Sequence, residues 1–153
     1  MPATLDVSGD GFDKLSLLLD RFAENVSNLA PLFDQIADDF ANTQRENFRT
    51  AGALYGLWTP LSPAYAAWKE AHYPGQPILT RTGLLRDSLS SRPFGVEHID
   101  QTRMVLGTQV PYARHHQDGA GLARRPMINQ PTRGEIRRYG SMLHRHAFEG
   151  VTS

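Results

Sequence analysis

Apolar residues recur at helical spacing through Phe12, Leu15, Leu18, Leu19, Phe22, Val26 and Leu29. That is the repeat of one face of an amphipathic helix, and Asp10 ahead of it carries an N-cap side chain. Pro31 fits the first turn of a second helix, where a missing N–H costs nothing. Phe33, Ile36, Ala37, Phe40, Gln44 and Phe48 line one face of it, and Asp34, Asp38 and Asp39 lie on the outer face. Gly52 and Gly56 break the pattern into a loop. Ser62 as N-cap and Pro63 behind it start a third helix carrying Tyr65, Trp68 and Lys69, and Tyr73-Pro74-Gly75 stops it. Thr82-Gly83 then leads into a short helical turn with Leu84, Leu85 and Leu89.

A period of two marks other stretches. Residues 3–8 alternate as a short strand. From Phe94 onward, Val96, His98 and Asp100 face one way, and Met104, Leu106, Thr108 and Val110 repeat on the return. This predicts a hairpin turning near 100–102 and ended by Pro111. Residues 112–119 read as a polar, His-rich loop suited to a contact surface, and 125–129 as a last edge strand. Thr132 and Glu135 have capping-box spacing. They open a C-terminal helix through Ile136, Tyr139, Leu143 and Ala147, with Arg137, Arg138 and Arg145 on its other face. The fold class is α+β, a small, mostly antiparallel sheet packed by two N-terminal helices and a C-terminal helix.

At 153 residues the chain is expected to form one domain over 1–153. It has no cysteine, which excludes a disulfide scaffold, a zinc ribbon and a thiol nucleophile. The first residues lack the basic flank and apolar stretch of a signal peptide, and no apolar run is long enough to span a bilayer. Net charge is zero, but it is split. Residues 1–50 hold nine acids against four bases, a net of −5, and the remainder holds seven against twelve, a net of +5.

Catalytic chemistry finds little support. His144 and His146, two positions apart on a helix, point about 200° apart and cannot share an ion, and His115-His116 has a similar problem. No phosphate loop, nucleophile elbow or carboxylate-histidine metal spacing occurs. The expectation is a non-enzyme without cofactor or metal. The crowding of Arg124, Arg125, Arg133, Arg137, Arg138 and Arg145 leaves a nucleic-acid-binding reading open, against the alternative that these arginines meet the acidic helices. Trp58, Tyr65, Trp68 and Tyr73 either complete the core or anchor a neighbouring subunit.

The middle of the chain carries an ordered series of motifs. Trp58-Thr59-Pro60-Leu61-Ser62 precedes Lys69, and residues 78–89 read ILTRTGLLRDSL, containing Thr82, Gly83 and Asp87. Val105-Leu106-Gly107-Thr108 follows, then YARHHQDG at 112–119, with Tyr112, His116, Gln117 and Gly119, then Arg125-Pro126-Met127-Ile128. Over residues 50–130 this resembles the virion morphogenesis, or tail-completion, family of tailed bacteriophages, which includes the G protein of phage Mu. Asp118 and Met127 depart from the pattern, which more often has apolar or aromatic residues there. The resemblance implies a structural virion protein made in the bacterial cytoplasm. It would form a ring, of sixfold symmetry, at the head-tail neck. Its partners would be a head-completion or stopper protein, the tail terminator and the tail tube, with no membrane. Genomic DNA would pass through the channel without specific binding. A tail terminator capping the tube is the alternative role. Within such a ring the charge split offers Asp34, Asp38 and Asp39 of one subunit to Arg137 and Arg138 of the next.

Overall fold

Leu32, Ala37, Ala41, Gln44, Asn47 and Phe48 fall on one face of a helix of 20 residues, Ala30–Arg49, and all are buried. This helix, α2, is the centre of a computed structural model that describes residues 10–151. The strand expected over residues 3–8 lies outside the described residues. The helix before it, α1 (Asp10–Ser27), includes Asp10 as its first residue. Between the two, the Asn28 side-chain oxygen accepts the Ala30 N–H at 3.2 Å, and Pro31 occupies the first turn as expected. A short 3-10 turn, Ala53–Tyr55, lies between Gly52 and Gly56, both at positive φ. Then come α3 (Pro63–His72), α4 (Leu84–Ser90), β1 (Val96–Ile99), β2 (Met104–Gly107), α5 (Ala113–Asp118) and α6 (Arg133–Ala147). Among the described residues, six helices with a two-stranded antiparallel sheet make an α+β fold.

The small side chains of Ala37 and Ala41 let the hairpin approach α2. Phe94 packs on them together with Phe40, Ile99, Met104 and Leu106, and the rings of Phe40 and Phe94 meet edge-on at 5.4 Å. Register pairs Val96 with Gly107 and Ile99 with Met104. The inward face is therefore Ile99, Met104 and Leu106, while His98 is exposed on the other. At the turn, Asp100 accepts the N–H groups of Thr102 and Arg103, each at 2.8 Å. Those bonds and His98 pull its carboxyl down to about 2. A second cluster joins Phe48 to Trp58, Leu85, Leu89, Ala113 and Met127.

Three expectations need correction. Residues 113–118 form helix α5 rather than a loop, with Ala113 buried against the second cluster. Residues 125–129 form no strand, because side chains take the backbone groups that a ladder would pair. Finally, α6 is rotated from its expected face. Ile136 and Leu143 are exposed, whereas Glu135 and His146 are buried, and Ala147 is buried as expected. The sheet packs mainly on α2, while α1 rests on α6.

Two polar groups cause that rotation. Glu135 completes the capping box with Thr132 and also accepts the Tyr55 hydroxyl at 2.7 Å. His146 Nε2 lies 2.9 Å from the carbonyls of both Asn25 and Asn28, so it carries the ring proton and caps the end of α1. Burial pushes Glu135 up, but Tyr55 and Thr132 donate to it and hold its carboxyl below the usual range. The rings of Phe22 and Phe148 meet at a tilt, 5.2 Å apart, beside them.

The acidic face of α2 is matched within the chain. Arg92 reaches Asp34 at 2.7 Å, Asp38 at 3.0 Å and Glu97 at 2.5 Å. Arg138 reaches Asp39 at 2.6 Å. Arg137 donates only to the Arg133 carbonyl, at 3.3 Å.

Candidate functional site

Beyond the C-terminal end of α2 the chain closes around a cavity of about 770 Å³. Its wall comes from the segment before α3, from α3 itself, from residues 79–85 and from α5 and the residues behind it. Local rules build these parts. Ser62 caps α3 through the Tyr65 N–H, at 3.4 Å, and Pro63 follows at the first position. Gly83 turns the chain into α4 at φ +84°, where a Cβ would sit 2.8 Å from the Arg86 guanidinium. Leu79 also stands at positive φ, 59°. That conformation is costly for a leucine and is held only where the surroundings force it. Gly119 ends α5 at φ +77°.

Six of the residues singled out within the motifs meet here, Lys69, Thr82, Gly83, Tyr112, His116 and Arg125, with their motif neighbours Pro60, Leu61, Thr80 and Arg81. Lys69 is buried, and its ammonium donates to the Pro77 carbonyl. Arg125 is buried as well, with its guanidinium donating to Thr59 O at 2.6 Å and Pro60 O at 3.0 Å. Burial lowers the pKa of both cations. Burial, and then the charge of Arg125, also lowers that of His116. Arg81 adds a third cation, and no carboxylate lines the wall. Two buried polar atoms of its lining residues, Thr80 Oγ1 and His116 Nδ1, have no hydrogen-bond partner among the described residues. Leucines and tyrosines supply the rest.

The other motif residues stand behind this wall and hold it. Trp58 Nε1 donates to Pro126 O at 2.8 Å. Gly52 lies under the indole, where a Cβ would come within 2.6 Å of the ring. Gln117 accepts the N–H groups of Met127 and Ile128, at 2.9 and 3.1 Å, and donates to Ile128 O at 2.6 Å. Gln44 and Asn47 of α2 both donate to Met127 O. Asp87 is exposed on α4 and paired with Arg86 at 2.7 Å, with its carboxylate beside Gly83.

The aromatic group divides. Trp58 is in the core, whereas Trp68 is exposed and stacks with Tyr65 at 5.5 Å and His72 at 4.6 Å. Thr80 and Arg81 lie inside the 78–89 motif, although their positions in the sequence do not single them out as site residues. Among the described residues no group of three or more His, Asp or Glu side chains is arranged to hold a metal ion.

A family model described as the phage virion morphogenesis family matches residues 10–145 of the chain. The chain belongs to that family. Comparison with curated proteins and with solved structures returns no match. As a phage virion morphogenesis protein it is associated with the virion. No helix among its described residues is long and apolar enough to cross a membrane. The match takes in α1 and nearly all of α6, beyond the 50–130 region where the motifs lie.

Proposed function

We propose that this protein is a structural, non-enzymatic component of the neck. It forms a ring at the head-proximal end of the tail and completes the tail for joining to the head. The observation that carries this reading is the family membership over residues 10–145. The surface supports it, since a ring is built from head-to-tail contacts that need two unlike complementary patches on each subunit. The chain carries an exposed apolar helix, α1, and a separate cationic cavity. The expected neighbours are a head-completion or stopper protein, the tail terminator and the tail tube, with DNA passing through the channel without specific recognition.

The nucleic-acid reading loses ground. Arg125 is buried and tied to backbone carbonyls, and Arg138 is paired with Asp39. That removes two arginines from the cluster that would neutralise phosphates. Electron microscopy of the purified protein and of the intact virion tests the proposal. It expects closed rings of the isolated protein and density for the same ring between head and tail. Density at the tail tip, or a protein that stays monomeric and is missing from the particle, overturns it.

A further inference from the structure

The first half of α1 presents apolar side chains that nothing among the described residues covers. Phe12 is 52% exposed, Leu15 50% and Leu19 59%. At 100° per residue these three lie on one stripe, continued by Val26, and Asp13, Asp20 and Glu24 form an acidic stripe beside it. Contacts to the body come from the second half of the helix, where Arg21, Phe22 and Asn25 meet the end of α6. An amphipathic helix gains stability by burying its apolar stripe, and here the stripe faces solvent.

The cavity is the complementary feature. It has apolar walls, three cations and no carboxylate. Lys69 is buried with a single carbonyl partner, and Thr80 Oγ1 and His116 Nδ1 are buried with none among the described residues. With three cations and no carboxylate on the wall, the cavity is electrostatically complementary to an acidic partner. The two features also sit at opposite ends of α2. α1 joins its N-terminal end through Asn28, and Trp58 and the cavity lie beyond its C-terminal end. Twenty residues of helix span about 30 Å, so one chain presents the acidic apolar helix at one pole and the cationic apolar cavity at the other.

We infer that the α1 helix of one subunit docks on the Lys69–Arg81–Arg125 cavity of the next copy, with Phe12 or Leu15 entering the apolar part and Asp13 meeting Arg81, the exposed cation of the three. This deepens the ring reading and rests on it. It also displaces the α2–α6 charge pairing as the intersubunit contact, since Asp34, Asp38, Asp39 and Arg138 are already paired within one chain.

The cysteine-free chain makes the test clean. Ser16→Cys lies between the two stripes of α1, and Leu122→Cys lies at the exposed rim of the cavity. The two single variants are mixed and treated with a short bis-maleimide. A dimer-sized product joining residues 16 and 122 is expected only in the mixture. Arg81→Glu in the Leu122→Cys chain should cut its yield roughly fivefold, the scale of an exposed charge pair reversed. Leu15→Asp should abolish it while leaving the melting temperature of the monomer unchanged, because Leu15 is exposed. Rings that form without the 16–122 product overturn the docking and leave the neck ring standing. A monomer-sized 16–122 link in the double variant overturns the intersubunit assignment. Failure of both rings and product overturns both readings, and the product without rings supports the docking alone.

Discussion

Trp58 and Pro126, 68 positions apart in the chain, are joined by a hydrogen bond of 2.8 Å from the indole N–H to the proline carbonyl. The ring also packs edge-on against Phe48 at 5.3 Å. Trp58→Ala should cost about 3–5 kcal/mol. Trp58→Phe, which keeps most of the packing and loses the donor, should cost about 1–3 kcal/mol. Trp68→Ala should stay within about 0.5 kcal/mol, because Trp68 is exposed. Urea unfolding of the three variants gives the ranking, and a large loss for Trp68→Ala would contradict it.

Arg92 gathers three carboxylates, two from α2 and one from β1. Its bond to Glu97 holds that carboxyl below the usual range. Arg92→Ala leaves Glu97 partly buried without its partner and should cost about 2 kcal/mol. A double-mutant cycle on Asp39 and Arg138 should return about 0.5–1 kcal/mol, shrinking as salt is added. No coupling in the isolated chain would show that this pair is not formed within one subunit.

The pH response divides into two windows. His116 titrates lower in the fold than its ordinary 6.5 because it is buried. Between 6.5 and that lower value the unfolded chain binds more protons, so this stability is present above pH 6.5 and lost as pH falls. Glu97 and Glu135 are also lowered, from an ordinary 4.5, so their contribution is lost only below that value. His116→Phe should flatten the stability profile between pH 6.5 and 4.5 and leave the lower limb intact. An unchanged upper limb would show that His116 is not the group responsible.

Gln117 makes three bonds to Met127 and Ile128. Gln117→Leu should cost about 1–3 kcal/mol, and hydrogen exchange should rise first at those two amides. Protection that stays unchanged would mean another group holds the segment.

The helices were legible because their signals are local. Ser62 and Pro63, Thr82-Gly83, and Thr132 with Glu135 each mark a start within four residues, and all three mark helices in the structure. The hairpin was legible from its period of two. The misreadings came from pairings that are distant in sequence. Nothing near 125–129 says that Gln44, Asn47 and Gln117 will replace a strand partner. Nothing on α6 says that Tyr55 and the end of α1 will draw Glu135 and His146 inward past Ile136 and Leu143. Of the candidate site, the motifs supplied most of the wall residues, while their convergence on one cavity depends on packing across the whole chain. The charge split was visible in the sequence, but the pairing of Arg92 with α2 was not.

The amide of Gln117 has one more consequence. An apolar, extended pair such as Met127-Ile128 is the kind of stretch that recruits a strand from another molecule when its backbone is unpaired. Here both N–H groups and both carbonyls are already taken by side chains of the same chain. The segment is closed to edge-to-edge β-aggregation without any covering strand. Gln117→Glu would keep the two acceptor bonds and lose the donor, reopening one carbonyl. A shortened lag before amyloid-dye fluorescence would then mark the reopened edge.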